Sequence, residues 1–219
     1  MNHEILRTAT VEEAVQTASR FVLDQAESAI HRSNGFTLAV SGGRTPAAMF
    51  SAIVSSGEDL NQWDIWQVDE RIAADGDPAR NLIQVCETLA PRGAKVHPMP
   101  VNDEDRALAM TQYANTLPLN FDLIHLGLGA DGHTASLLPG DAALRATGLV
   151  ATTTPYQGNE RMTLTYAALA RAQCLVWLIT GADKRAALAS LLNNDMSIPA
   201  SHVSASCSVI IADSAALGA

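Results

Sequence analysis

FDLIHLGLGADGHTASLLP, residues 121–139, carries an apolar run straight into a glycine-rich turn that contains His133. The apolar run 121–128 holds few polar residues, which predicts a buried parallel strand. His133 is therefore expected just beyond the carboxyl end of that strand, where open α/β sheets form the crevice that binds ligands. The alternative is a histidine that only caps a following short helix. Three glycines allow the sharp turn that this placement needs: Gly127, Gly129 and Gly132.

Apolar runs and helical patterns alternate along the rest of the chain. A capping-box pair, Thr10 and Glu13, opens a long amphipathic helix ahead of them. The alternation predicts an α/β fold: one Rossmann-like domain over residues 1–219, an open and mostly parallel sheet with helices on both faces. Residues 148–172 are ambiguous, because their patterns change from strand-like to helical. Strands are predicted near 36–40, 64–68, 121–128, 148–153, 173–180 and 207–212, and helices near 45–56, 79–90, 103–117 and 182–193.

Length and composition indicate one soluble domain. The 219 residues suit a single core, and no proline-rich or serine-rich linker divides them. Hydrophobic residues make up 47% and charged residues 17%, and no apolar run approaches the roughly 20 residues of a membrane span. Residues 1–7 lack the basic and apolar regions of a signal peptide. The sequence therefore predicts a cytoplasmic protein without a membrane partner.

Charge and cysteine content narrow the partners further. The net charge of −9 and a pI near 5.0 argue against nucleic acid, which needs a basic face. A small phosphate stays compatible, since local basic residues can bind it. Cys86, Cys174 and Cys207 show no metal-ligand spacing. They are expected to be free thiols, with neither a disulfide nor a structural zinc ion.

A second glycine-rich turn, SGGRTP at residues 41–46, joins a predicted strand to a predicted helix. Such a turn presents backbone N–H groups at a helix start, which favours anion binding. Gly42 and Gly43 would supply the amides, Arg44 could bind phosphate in a bidentate manner, and Thr45 could cap the helix. The spacing is not that of a Walker motif. A plain strand-to-helix turn would also explain the two glycines.

Charged residues follow the predicted strand 64–68, where Asp69, Glu70 and Arg71 stand together. Arg71 is placed to bind an anion or a developing oxyanion, and Asp69 to position a substrate. The alternative is that this charged strand end is solvated surface.

Two more basic residues are candidate phosphate ligands. Arg161 opens a short alternating segment, and Lys184 stands in the first turn of a helix after the predicted strand 173–180. An isolated lysine in such a place is more often exposed and structurally neutral. His125, inside an apolar strand, is interpreted as a core residue.

Together, these segments resemble the 6-phosphogluconolactonase family. The resemblance covers nearly the whole chain, in the order that the family has the motifs. It implies a sugar-phosphate isomerase/deaminase-like fold and hydrolysis of 6-phospho-D-glucono-1,5-lactone in the oxidative pentose phosphate pathway. Leu138 departs from a frequent phenylalanine, and Arg44 stands where serine is also common. The motifs are SGGRTP (41–46), DER (69–71), GLGADGHTASLLP (127–139) and RMTLT (161–165).

Other functions stay open at this point. Glucosamine-6-phosphate deaminase is similar in fold and phosphate loop, but it typically has tyrosine where this chain has Arg71. It also carries a glutamate where this chain has Leu138. Both differences favour the lactonase. A non-catalytic sugar-phosphate-binding protein and a ribose-5-phosphate isomerase are further alternatives.

The residues and the resemblance lead to one mechanistic hypothesis. His133 would take a proton from water as it attacks the lactone carbonyl, and would return a proton to the ring oxygen. Asp131 would hold the imidazole or the water, and Arg71 would stabilise the tetrahedral intermediate unless it binds phosphate. No metal or other cofactor is expected, and the chain is expected to act as a monomer or weak homo-oligomer. The candidate phosphate ligands are Gly42, Gly43, Arg44, Thr45, Arg161 and Lys184.

Overall fold

A computed structural model describes residues 2–218 and confirms the α/β architecture; the two end residues of the predicted domain, 1 and 219, lie outside the described part. The strands are β1 (Glu4–Thr8), β2 (Phe36–Val40), β3 (Trp63–Gln67), β4 (Asp69–Arg71), β5 (Lys95–His97), β6 (Phe121–Leu126), β7 (Val150–Thr152), β8 (Arg161–Leu164), β9 (Ala172–Ile179) and β10 (Cys207–Asp213). The helices are α1 (Val11–Ser33), α2 (Arg44–Ser55), α3 (Asn81–Thr88), α4 (Arg106–Thr116), α5 (Tyr166–Leu169), α6 (Arg185–Leu192) and α7 (Ser214–Leu217).

The central sheet has seven strands in the order β1-β10-β9-β6-β2-β3-β5, and its neighbours all pair in parallel. From β2 the chain adds β3 and β5 on one side, then returns to add β6, β9 and β10 on the other. The direction of strand addition therefore reverses between β2 and β6. This reversal opens a crevice at the carboxyl ends of the strands.

Apolar strands covered on both faces produce three layers. In β9, Leu175 and Trp177 belong to one hydrophobic cluster, whereas Cys174 and Val176 belong to the cluster on the opposite face. Helices α4 to α7 contribute to the first cluster and α1 to α3 to the second. The inner strands are continuous apolar runs because both of their faces are covered. Within residues 2–218, no helix combines the length and apolar character needed to cross a membrane.

A separate small sheet stands beside the central one. Its three strands pair antiparallel in the order β4-β8-β7, with Asp69 opposite Thr163 and Arg71 opposite Arg161. The predicted strand near 148–153 is therefore present, but it belongs to this sheet. The edge strands β1 and β5 were not predicted, because they are short and partly polar.

The two predicted helix caps have different outcomes. Thr10 caps α1 through a hydrogen bond from the backbone N–H of Glu13 at 3.2 Å, and the Glu13 carboxylate accepts one from Ala9 N–H at 2.8 Å. The cap predicted at Thr45 is wrong. Helix α2 starts one residue earlier, after Gly43, and the Thr45 hydroxyl instead bonds the Thr180 hydroxyl at 3.2 Å.

The prediction of free thiols is also wrong for two of the three cysteines. A disulfide joins Cys174 in β9 to Cys207 in β10, while Cys86 is free. Parallel pairing places the two residues opposite each other, with 4.4 Å between their Cα atoms. Their separation of 33 residues in the sequence gave no sign of this contact.

Glu70 fixes the small sheet to the start of α3. Its side chain is fully buried, and its carboxylate lies 3.1 Å from the Arg80 guanidinium. A buried carboxylate needs such partners, because its desolvation is costly. Each of its oxygens accepts two hydrogen bonds: Oε1 from Arg71 N (2.7 Å) and Asn81 N (2.8 Å), and Oε2 from Gln67 Nε2 (2.8 Å) and Leu82 N (2.8 Å).

We predict that Glu70→Gln destabilises the fold strongly. Each carboxylate oxygen now accepts hydrogen bonds from two N–H groups. In either orientation of the glutamine side chain, the new NH₂ group replaces one of these oxygens and leaves two N–H donors without an acceptor. The free energy of unfolding, measured by urea denaturation, should fall by about 3–5 kcal/mol, as expected when one partner of a buried pair is lost. Arg32→Gln is the control, since it removes the exposed Arg32 partner of an ion pair with Asp122 and should cost about 1 kcal/mol or less. Equal losses in the two variants would contradict this role of Glu70.

Candidate active site

A cavity of about 200 Å³ opens at the carboxyl ends of β2 and β6, at the reversal of strand addition. The central sheet provides one part of its wall and the small sheet another. Six residues predicted from the sequence line it: Gly42, Asp69, Arg71, His133, Arg161 and Lys184. The other lining residues are Ser41, Asn81, Gly127, Leu128, Gly129 and Ala135.

His133 and Asp131 form a hydrogen-bonded pair in the loop after β6. The ring Nδ1 lies 2.5 Å from Asp131 Oδ1, which also accepts a hydrogen bond from His133 N–H at 3.2 Å. Burial raises the pKa of Asp131, but these hydrogen bonds and the neighbouring imidazole outweigh it and leave the pKa below its ordinary value. An ionised carboxylate only accepts hydrogen bonds, so Nδ1 carries the proton. A neutral His133 therefore keeps a free lone pair on Nε2.

Two glycines make this pair sterically possible. A Cβ on Gly129 would collide with the His133 ring and with Asp131 Oδ1. Gly132 has a φ of 81°, and a Cβ there would meet Ile198 at 2.5 Å. The loop is closed by hydrogen bonds from Gly129 N–H to His133 O at 2.8 Å and from Gly132 N–H to Gly129 O at 3.0 Å. The glycines predicted to form a turn thus also provide the space in which the imidazole and carboxylate meet.

Two arginines face the cavity from the small sheet. Arg71 and Arg161 are direct cross-strand partners, so their side chains leave the same face. Arg71 Nη1 donates a hydrogen bond to Ala79 O at 2.5 Å. The Nε atoms of both arginines are buried and have no hydrogen-bond partner among residues 2–218. Two adjacent guanidinium groups with unused donors are suited to bind an anion.

Asp69 lies between these arginines and the loop after β6. Its Oδ2 accepts a hydrogen bond from the Ser136 hydroxyl at 2.6 Å and lies 3.9 Å from Arg161 Nη1. Burial dominates and raises the pKa of Asp69, although Ser136, Arg161 and Arg71 act in the opposite direction. Burial likewise lowers the pKa of Arg161. Asp69 therefore offsets part of the positive charge of the two arginines.

The SGGRTP turn reaches the cavity only through its first residues. Ser41 and Gly42 line the wall, whereas Gly43, Arg44 and Thr45 do not. Arg44 is exposed in the first turn of α2. Gly43 has a φ of 120° and precedes that helix.

Lys184 and His125 complete the predicted set. Lys184 lines the cavity beyond the end of β9, and its Nζ lies 3.1 Å from Asp183. His125 is fully buried, which confirms the interpretation as a core residue. Its Nδ1 accepts a hydrogen bond from Ser41 N–H at 3.4 Å, and burial lowers the pKa of His125 to about 4. His125 is thus a neutral side chain beneath the SGGRTP turn.

Sequence reasoning missed Asn81 and Ala135. Asn81 donates a hydrogen bond to Asp69 O at 3.1 Å, and its side chain occupies the space that a Cβ on Gly42 would need. It therefore joins the SGGRTP turn to the small sheet. Ala135 has a φ of 50°, an uncommon value for a residue with a Cβ. Neither residue type carries a chemical signal in the sequence.

Comparison with known proteins matches residues 9–211 to the model of a family described as glucosamine-6-phosphate isomerases/6-phosphogluconolactonase. The chain belongs to this family. A 6-phosphogluconolactonase of Nostoc is 30% identical over 184 residues, which cover 78% of this chain and 77% of that protein. The 6-phosphogluconolactonase 4 of Saccharomyces cerevisiae is 31% identical over 202 residues, covering 79% of each protein. The crystal structure of 6-phosphogluconolactonase from Thermotoga maritima shares the fold, with a TM-score of 0.88 at 24% identity over 97% of this chain and 100% of that one.

For this member of the isomerase/lactonase family, we predict that Gly129→Ala separates His133 from Asp131. The added methyl group needs the space that both side chains now occupy. Overpacking of this kind costs about 1–3 kcal/mol. Nitrogen-15 NMR of the His133 ring should show loss of the fixed Nδ1–H tautomer. Gly127→Ala is the matched control on the same loop, because within residues 2–218 its added Cβ would have no heavy atom within 4 Å apart from its chain neighbours. An unchanged tautomer in Gly129→Ala would contradict the prediction.

Proposed function

We propose that this chain hydrolyses 6-phospho-D-glucono-1,5-lactone to 6-phospho-D-gluconate, with His133 as the general base. The observation that carries the proposal is the Asp131–His133 hydrogen bond beside a cavity that also holds Arg71 and Arg161. Hydrolysis of a phosphorylated lactone needs a base that takes a proton from water, and cations that bind the phosphate and stabilise the negative charge of the intermediate. Membership of a family that includes 6-phosphogluconolactonases supports this reaction.

The proposed reaction begins with proton transfer to His133. Asp131 accepts the Nδ1 hydrogen bond, so Nε2 is free to take a proton from water as its oxygen attacks the lactone carbonyl. The resulting imidazolium is stabilised by the Asp131 carboxylate. When the tetrahedral intermediate collapses, the bond to the ring oxygen breaks and Nε2–H returns its proton to that oxygen. The products are the open-chain acid and a restored neutral imidazole.

Arg71 is our candidate for stabilising the oxyanion of the intermediate. It lines the same cavity as His133, and its backbone is fixed by the hydrogen bond to buried Glu70. Preorganised positive charge of this kind stabilises the transition state without reorganisation. Asp69 would then position the sugar, since its carboxylate lines the cavity and can accept hydrogen bonds from hydroxyl groups.

The phosphate group is assigned to the other cations and to the SGGRTP turn. Arg161, Lys184 and Gly42 line the cavity, which supports a direct role for them. Gly43 would contribute its backbone N–H at the start of α2. Arg44 and Thr45 do not line the cavity, and we propose them as ligands that contact the phosphate from its outer side. Arg44 would have to turn inwards from its exposed position to do so. Remote binding of this kind holds the ring in place for attack.

This reaction requires a single chain and no cofactor in our proposal. The chain would act as a monomer or weak homo-oligomer. A lactone is an activated acyl group, so a base and positioned cations suffice for its hydrolysis.

The family also contains isomerases, so deamination of glucosamine 6-phosphate is the second candidate. Position 138, where the deaminase typically has a carboxylate, is here a buried leucine. Release of ammonia from glucosamine 6-phosphate, without acceleration of lactone hydrolysis, would favour that function instead.

His133→Ala should lower kcat for the lactone by about 10²–10⁴-fold, the usual contribution of a general base. Its affinity for 6-phosphogluconate should change little, because the cations stay in place. The rate is measured on freshly generated lactone, through coupled 6-phosphogluconate dehydrogenase, and is compared with spontaneous hydrolysis. His202→Ala is the control, since the ring of that exposed histidine forms a hydrogen bond with Met196 O and does not line the cavity. Near-full turnover by His133→Ala would disprove the assignment.

Asp131→Asn tests how the imidazole is held. An asparagine amide can donate its hydrogen bond to Nδ1, which moves the ring proton to Nε2 and removes the base. We expect kcat to fall by about 10²–10⁴-fold, with KM largely kept. Asp195→Asn serves as the control, because that half-buried carboxylate accepts hydrogen bonds from Ser190 and Ser197 instead. If Asp131→Asn retains wild-type kcat, the aspartate does not set the tautomer.

A further inference from the structure

A tyrosine that sequence analysis did not single out contacts both His133 and Arg161. Tyr156 lies between β7 and β8, in the loop of residues 153–160. Its ring packs edge-on with the His133 imidazole, with 5.5 Å between the centroids and 69° between the planes. The guanidinium carbon of Arg161 lies 5.0 Å from the centroid of the same ring. One side chain thus contacts both the proposed base and a proposed phosphate ligand.

The backbone at Tyr156 is fixed by a tight turn. Tyr156 N–H donates a hydrogen bond to Asn159 O at 2.9 Å, and Asn159 N–H donates one back at 3.3 Å. The two central residues, Gln157 and Gly158, have φ values of 51° and 88°. Two positive φ values are typical of a type I′ hairpin turn. Since a residue with a side chain rarely adopts positive φ, the turn holds Gln157 in a costly conformation.

A second contact fixes the loop on its other side. Asp141 Oδ2 accepts hydrogen bonds from Thr154 N–H at 2.9 Å and from the Thr154 hydroxyl at 2.6 Å. Burial raises the pKa of Asp141, but the hydrogen bonds from Thr154 and Ala143 N–H outweigh it and lower the pKa below its ordinary value. The ionised carboxylate of Asp141 thus holds the loop at Thr154, two residues before Tyr156.

We propose that Tyr156 is a positioning residue for the lactonase reaction, an inference that rests on the function proposed above. The hydrogen bond to Asp131 fixes Nδ1 of His133, yet a single hydrogen bond lets the imidazole tilt about its axis. The Tyr156 ring restricts that tilt and so directs Nε2 towards the attacking water. Small displacements of a catalytic group are costly in rate.

The same ring holds the Arg161 side chain. Arg71 stands directly opposite Arg161 and repels it, while Asp69 attracts it from 3.9 Å. A cation over an aromatic face gains further electrostatic attraction, and more so where water is excluded. Tyr156 therefore keeps Arg161 in the cavity wall, where it is available to the substrate phosphate. Both effects come from the ring, so the hydroxyl group is dispensable.

Tyr156→Leu and Tyr156→Phe separate the ring from the rest of the side chain. For Tyr156→Leu we expect kcat to fall and KM for the lactone to rise, each by about tenfold. Calorimetry with 6-phosphogluconate should show a matching loss of affinity. Tyr156→Phe should restore all three quantities to within about twofold of wild type. Tyr166→Leu is the matched control, because Tyr166 packs against His202 at 5.6 Å, away from the cavity.

The kinetic constants of these variants decide whether Tyr156 has a positioning role. Wild-type kcat and KM in Tyr156→Leu would overturn the proposal, as would failure of Tyr156→Phe to restore them. If Tyr156→Leu does not fold, Thr154→Val loosens the loop from Asp141, and it should shift KM and kcat in the same directions. Unchanged constants in that variant would overturn the proposal. Absence of lactone turnover in wild type would instead refute the proposed function, while 6-phosphogluconate binding would still test the Arg161 contact.

Discussion

The antiparallel pairing of β4 with β8 sets Arg71 directly opposite Arg161, and the rest of the site is arranged around that pair. Like charges in such positions destabilise a sheet. Asp69 offsets the repulsion on the same face of the small sheet. On the opposite face, Glu70 fixes β4 to the start of α3 through hydrogen bonds from Asn81 and Leu82 and the ion pair with Arg80. The buried contacts of Glu70 stabilise β4 despite the repulsion between the two arginines. The positive charge of these arginines faces the cavity, where it would be available to an anion.

The two sheets supply different parts of the proposed active site. The central sheet provides His133 and Asp131, in the loop after β6, while the small sheet provides the two arginines. Ser136, only three residues beyond His133, bonds Asp69 at 2.6 Å and thereby joins the base loop to the small sheet. The distance between the proposed base and the two arginines therefore depends on how the small sheet packs against the central one.

Local patterns predicted the parts that depend on local chemistry. The buried strand at 121–128, the helix cap at Thr10 and the position of His133 all follow from hydrophobic runs, hydroxyl groups and glycines near in sequence. Contacts between distant segments were not predictable in this way. The disulfide of Cys174 with Cys207 depends on strand register, and the small sheet on a pairing between residues about ninety positions apart. Tyr156 meets His133 only when the 153–160 loop packs against the loop after β6, and nothing in its own sequence context signals this.

The proposed anion site, in a chain of net charge −9, would rely on short-range contacts. Exposed charges farther apart than about 8 Å are largely screened at physiological salt, so the acidic surface would act weakly on a phosphate in the proposed site. Arg71 and Arg161 face the cavity from a buried sheet, where water screens their charge much less. The protein as a whole thus does not attract anions from a distance, and discrimination rests on groups that contact the substrate directly. This is why the orientation of a few side chains, held by Glu70, Asp69 and Tyr156, matters more for the proposed activity than the overall charge.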